Sequence, residues 1–194
     1  MIVAGVDPGL TGAFAFLDTT TSQVAAAFPM PVLSLSKGKG TKREISFPML
    51  VQTIDDTLGI NSLGYVFVEA VTSSPQQGVT SAFNFGVGYG GLKGIIAARR
   101  WPVEYVTPAK WKRTLSVPAD KEAAIQRACN IMPAGVHFWT PRRGHLTKDQ
   151  ACGVAEAALV GFFGIQWLQE HRLLSVQADD VKPNPIPRVR VLAT

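Results

Sequence analysis

The stretch Ile2-Val3-Ala4-Gly5-Val6-Asp7-Pro8-Gly9-Leu10-Thr11-Gly12-Ala13-Phe14-Ala15-Phe16 decides how the fold begins. An apolar run delivers one carboxylate, turns through Pro8, Gly9 and Gly12, and resumes as a second apolar run. That pattern predicts a β-hairpin with Asp7 at its mouth. A carboxylate ending a strand of Ile, Val, Ala and Gly is costly to bury alone, so it calls for a cation, a donor network or solvent. A cation would need further ligands from distant parts of the chain.

Working outward, Gln23–Met30 can add a third antiparallel strand and complete a meander. The segment Leu35–Arg43 has no apolar period and concentrates Lys37, Lys39, Lys42 and Arg43 around two glycines, which predicts a mobile loop. Ser46 offers an N-cap and Pro48 a first turn for a helix whose apolar positions are Leu50, Val51, Ile54 and Leu58. Leu63–Glu69 is a short strand that ends, as the first does, in an acid.

From Thr80 to Arg99 the pattern is helical, with Ala82, Gly86, Gly90, Gly94 and Ala98 at spacing four. Each interior glycine weakens a helix by about 1 kcal/mol relative to alanine, so the stripe implies a close approach, either to the sheet or to another subunit. Pro102–Val106 reads as a strand, Thr107-Pro108 opens a short helix with Trp111, another helix follows Asp120, and the last runs from about Thr147 to Gln169. The order predicts an α/β domain over residues 1–170, a mixed five-stranded sheet flanked by helices. Residues 171–194, with three prolines and alternating charges in the last twenty, read as a C-terminal tail that is flexible or docks on a neighbour.

Composition narrows the class. The 194 residues suffice for one sizeable core, not two full α/β domains. A net charge of +5 suits a polyanionic partner without demanding one. Cys129 and Cys152 have no metal-ligand spacing and are too few for a disulfide scaffold, which points to reduced thiols and a cytoplasmic setting. Asp7 interrupts the opening apolar run, so no secretion signal is expected. Glu156 and Gln166 make Ala151–Leu168 too polar for a membrane span, and a buried helix is expected there.

Asp7, Glu69, Asp149 and Glu156 are the candidate catalytic acids. Hard cations such as Mg²⁺ take oxygen ligands and are held by one or two carboxylates plus substrate phosphate. On the last helix, Asp149 and Glu156 share a face but lie roughly 10 Å apart along the axis, too far to share one ion. Asp149 equally suits the positive end of the helix dipole. Position 152, one turn before Glu156, would place a carboxylate well, and it holds a cysteine.

Together these motifs resemble a family. Asp7-Pro8-Gly9 with Thr11-Gly12, Val68-Glu69 before Gln77-Gly78, Ser81 to Gly86, Val106-Thr107-Pro108 with Trp111-Lys112, and Gly153 to Ala157 look like RuvC-type Holliday junction resolvases, the phage and prophage branch above all. The resemblance covers roughly residues 1–165 in order. It implies an RNase H-like fold, a homodimer, and paired nicking of four-way DNA junctions with Mg²⁺, for which Mn²⁺ can substitute. Asp7, Glu69 and Glu156 match acids of that pattern, and Cys152 stands where look-alikes carry a further metal-binding carboxylate.

Lys37, Lys39, Lys42, Arg43, Lys110, Lys112, Arg113, Arg142 and Arg143 are the expected DNA contacts, although scattered surface charge would read the same way. Trp101 and Trp111 are expected to be mostly core, and His145 either orients water or phosphate or is simply exposed. Two rivals stand beside the nuclease: a junction-binding protein that Cys152 has disabled for cleavage, and an ATP-using relative of the same broad fold, for which the chain is too short.

Overall fold

The computed structural model describes residues 1–37, 40–59, 63–72, 78–118, 120–140 and 146–175. Its centre is a five-stranded sheet in the order β3-β2-β1-β6-β7. β1 (Ile2–Asp7), β2 (Ala13–Asp18) and β3 (Gln23–Pro29) form the expected antiparallel meander. β6 (Leu63–Glu69) pairs parallel with β1, and β7 (Val103–Val106) pairs parallel with β6. Val6 pairs with Val68, so Asp7 and Glu69 leave neighbouring strands at the same end. The crevice beyond the carboxyl ends of parallel strands is where α/β sheets place their ligands.

The expected loop over Leu35–Arg43 is instead a hairpin apart from the main sheet: β4 (Val32–Lys37) pairs antiparallel with β5 (Gly40–Ile45). Leu33 and Leu35 alternate with serines along β4, and the strands pair from Val32 with Ile45 to Lys37 with Gly40, so Lys42 and Arg43 lie on a ribbon with ladder hydrogen bonds.

Helices cover both faces. On one face, α1 (Phe47–Leu58) buries Leu50, Ile54 and Leu58, and α2 (Val79–Ala98) buries Leu92 and Ile96, against Ala4, Val6, Phe14 and Phe16. Ser46 precedes α1 as expected, but its buried hydroxyl makes no capping bond. On the other face, α3 (Pro108–Thr114), α4 (Lys121–Ile131), α5 (Val136–Trp139) and α6 (Lys148–Glu170) enclose Trp111, Trp139, Phe67 and Leu17. Thr147 and Gln150 cap α6 reciprocally. Among the described residues α6 alone is long and apolar enough to cross a membrane, and 78% of its most apolar window is buried within the fold.

Two glycine contacts seat α6 on the sheet. A Cβ at Gly5 would meet the Ala157 carbonyl oxygen at 2.0 Å, and one at Gly153 would meet the Thr11 carbonyl oxygen at 2.1 Å. Backbone therefore lies on backbone, and the helix face carrying Glu156 is drawn down over the hairpin mouth. The stripe on α2 behaves differently. A Cβ at Gly86, Gly90 or Gly94 would meet nothing within 4 Å, so this stripe is not packed on the sheet. Beside it, Val79, Phe83 and Val87 are exposed at 86, 70 and 52%.

Candidate active site

Three carboxylates come to the carboxyl edge of the sheet, each held through one oxygen by a different donor. Asp7 Oδ1 accepts the Gly9 N–H at 3.1 Å. Glu69 Oε1 accepts the Trp111 indole N–H at 2.9 Å. Glu156 Oε1 accepts from Lys112 Nζ at 2.8 Å. The turn Pro8–Gly12 supplies the first donor because a Cβ at Gly12 would strike the Asp7 carbonyl at 2.2 Å, which only glycine avoids. β7 and α3 supply the other two: Trp111 is fully buried and its N–H needs a partner, and the next residue along α3 is Lys112.

Electrostatics couple the three acids. Burial first and then repulsion from Glu69 push the Asp7 carboxyl up to about 7; the Gly9 N–H opposes them, and Glu156 and Lys112 add smaller influences of opposite sign. Burial raises Glu69 as well, and Glu156 adds repulsion, while the Trp111 N–H and Lys112 pull it down. Burial would lower Lys112, but the bond and charge of Glu156, with Glu69 and the Cys152 sulfur, outweigh it and raise the ammonium. Like charges are thus gathered where solvent is scarce, and one ammonium offsets them only in part.

Of the other expected residues, Cys152 is buried one turn before Glu156 and acts on Lys112. Asp149 is exposed in the first turn of α6, where its charge acts on Lys148; it is not among the charges shifting Asp7 or Glu69. Lys112, expected on a DNA phosphate, is engaged by Glu156. Lys42 pairs with Glu44 at 3.0 Å, Arg43 and Arg113 are exposed, and Lys110 is exposed with its Nζ 5.8 Å from the centre of the Phe163 ring. The side chain of Lys37, and Lys39, Arg142, Arg143 and His145 altogether, lie outside the described residues. Trp101 is half-buried under Arg99. The role of Trp111 as a donor to Glu69 was hidden in the sequence, where its only signal is an indole three residues past a proline that opens a helix.

Among the described residues no three His, Cys, Asp or Glu side chains are grouped closely enough to hold a metal ion as they stand. The chemistry of the donor set suits a hard divalent cation: all-oxygen carboxylates, mutually repelling and short of positive charge. Asp7, Glu69 and Glu156 are the residues that could hold it.

No protein-family model and no curated protein matches the chain. Solved structures do. T. thermophilus RuvC in complex with Holliday junction substrate aligns over 86% of this chain and 96% of its own, with a TM-score of 0.51 at 17% identity. A second Thermus thermophilus RuvC structure aligns over 86% and 97%, at 0.47 and 20% identity, and the yeast mitochondrial Holliday junction resolvase over 89% and 83%, at 0.44 and 12%. The first of these, with the strand order and helical layers above, establishes the architecture: an α/β, RNase H-like fold of the kind found in RuvC.

Proposed function

We propose that this protein is a structure-selective DNA endonuclease that resolves four-way junctions by hydrolysing phosphodiesters, a RuvC-type resolvase of the phage and prophage branch, working in the cytoplasm. The observation that carries this reading is the convergence of Asp7, Glu69 and Glu156 from β1, β6 and α6 into one electrostatically strained group. The sequence motifs in order and the fold shared with a junction-bound RuvC support it.

Asp7, Glu69 and Glu156 would hold Mg²⁺, or Mn²⁺ in its place. Bound there, such an ion lowers the pKa of water and offsets charge on the phosphate. Gly9 and Trp111 orient the Asp7 and Glu69 carboxylates by occupying one oxygen of each. Lys112 adds a positive charge beside the scissile group, a preset electrostatic contribution to a transition state that gathers negative charge. Arg43, Lys110 and Arg113, with Lys37, Lys39, Lys42, Arg142 and Arg143, would follow the strands by phosphate contact. Paired nicks need two sites, and the exposed face of α2, with Val79, Phe83, Val87 and the open glycines, is our candidate for a homodimer contact.

Cys152 favours a second reading, binding without efficient cleavage, because a buried thiol is a poor Mg²⁺ ligand where a carboxylate would serve. Nicking of a labelled synthetic four-way junction with and without Mg²⁺ tests both. Metal-dependent symmetric nicks, lost in Asp7→Asn and Glu69→Gln, support the enzyme. Tight junction binding with cleavage appearing only in Cys152→Asp supports the binder, and equal treatment of junction and duplex sinks both.

A further inference from the structure

A cleft of about 800 Å³ opens beside the site, and Asp7, Glu69 and Glu156 do not line it. Its near end is Pro8 and Leu10, on the turn that carries Asp7. One wall is the β5 strand with Arg43 and the Lys42–Glu44 ion pair, whose charges offset each other, and the other is the start of α2 with Thr80, Asn84 and Phe85. The strand β5 belongs to the hairpin that stands apart from the main sheet, and it alone of that hairpin lines this space.

The lining has a definite chemistry. Phe85 is a fixed aromatic platform: its ring stacks on Tyr89 at 6.3 Å and 12°, and Tyr89 meets Tyr105 edge-on at 6.3 Å. The Tyr89 hydroxyl is tied to the Val71 backbone, which anchors the ladder to the segment after β6. Asn84 and Thr80, one turn apart on the same helix, bring an amide and a hydroxyl, able to donate and accept at a heterocycle edge. Arg43 is exposed at the rim, where a phosphate could meet it. An aromatic face, an amide and a cation in one pocket of small-molecule size match a single nucleotide. A base still stacked in a duplex cannot offer its face to a side chain, so the occupant must be unstacked.

We propose that this cleft takes one unstacked nucleotide of the DNA strand held at the Asp7 edge, its base against Phe85 and its phosphate against Arg43. The inference rests on the DNA-nuclease reading and adds to it a means of selecting branched DNA. Bases unstack at little cost beside a branch point and at real cost inside a duplex.

The test uses four-way junctions carrying 5-iododeoxyuridine at single positions around the branch point, irradiated with the full chain in Ca²⁺, followed by peptide mapping. The expected result is a crosslink to the α2 peptide containing Phe85 from one or two positions at the branch. Phe85→Ala should lose that crosslink and reduce the preference for junction over duplex by roughly tenfold, with its melting curve unchanged. Asn84→Ala and Arg43→Ala carry the same test if Phe85→Ala folds poorly. Junction binding in a gel shift with crosslinks only elsewhere, or with the preference intact in all three variants, overturns the cleft and leaves the nuclease reading standing. Failure of the folded protein to bind junctions at all overturns the nuclease reading itself. A change in sedimentation on Phe85→Ala would make the cleft a contact between copies, and the proposal would fall.

Discussion

Lys112 on α3 and Glu156 on α6 meet through a 2.8 Å Nζ–Oε1 ion pair, with side chains 29 and 20% exposed. Because Glu156 also repels Asp7 and Glu69, this ammonium holds the cluster together when no cation is bound. Lys112→Met should therefore destabilise the metal-free protein by about 1.5–3 kcal/mol, the worth of a hydrogen bond to a charged group. The same change removes a competing positive charge, so Mn²⁺ should bind several-fold more tightly while nicking slows. Mn²⁺ titration by electron paramagnetic resonance checks this; unchanged or weaker binding would contradict it.

Trp111 places the indole N–H on Glu69 at 2.9 Å. Trp111→Phe keeps most of the buried ring and deletes only that donor, leaving a shielded carboxylate oxygen unpaired. A stability loss of about 1–2 kcal/mol is expected. Nicking should fall at least tenfold, while junction affinity in Ca²⁺ stays within about twofold because no DNA-facing group has changed. A parallel fall in affinity would show that Trp111 supports the binding surface instead of Glu69.

The meander, the strand ending in Glu69 and the last helix were legible because each writes its pattern into consecutive residues: Ile2–Val6, Tyr65–Val68 and Ala151–Leu168. The β4–β5 hairpin was not, because its strands face solvent and carry cations where a buried strand would carry branched apolar residues. In the site, Asp7, Glu69 and Glu156 stood out as acids among apolar neighbours. The donors to Glu69 and Glu156 come from 42 and 44 residues away, and only the placement of α3 beside β6 and α6 reveals them.

The two kinds of glycine give opposite expectations. Gly5→Ala drives a methyl to within 2.0 Å of the Ala157 carbonyl, so α6 must lift from β1 and carry Glu156 away from Asp7. A loss of about 3 kcal/mol or more, with loss of nicking, should follow. Gly90→Ala enters open space within α2 and should raise stability by about 0.5–1 kcal/mol through helix propensity alone. If the α2 face is the homodimer contact, Gly90→Ala should also weaken self-association in sedimentation equilibrium, which Gly5→Ala does not touch directly.

Asp7 gives the fold a pH dependence of unusual sign. Its carboxyl titrates near 3.8 when unfolded and is pushed up to about 7 in the fold by burial and by its acidic neighbours. Between those values the folded chain holds the proton and the unfolded chain does not, so metal-free stability falls as pH rises from about 4 to 7 and then levels. Glu69 shifts in the same direction and reinforces the trend. Asp7→Asn removes the ionised form. In chelator at pH 8 it should be more stable than the parent by about 2 kcal/mol, a value reduced for the part of the site that solvent screens. The gain should vanish near pH 4, where the parent carboxyl is protonated as well. Mg²⁺ should raise the melting temperature of the parent at pH 8 and leave Asp7→Asn nearly unmoved, because a cation and a proton relieve the same repulsion. Denaturant melts of both proteins across pH 4–9 measure the difference. A parent that grows more stable from pH 4 to 7 relative to Asp7→Asn would show that Asp7 is already compensated within the fold and does not wait for a cation.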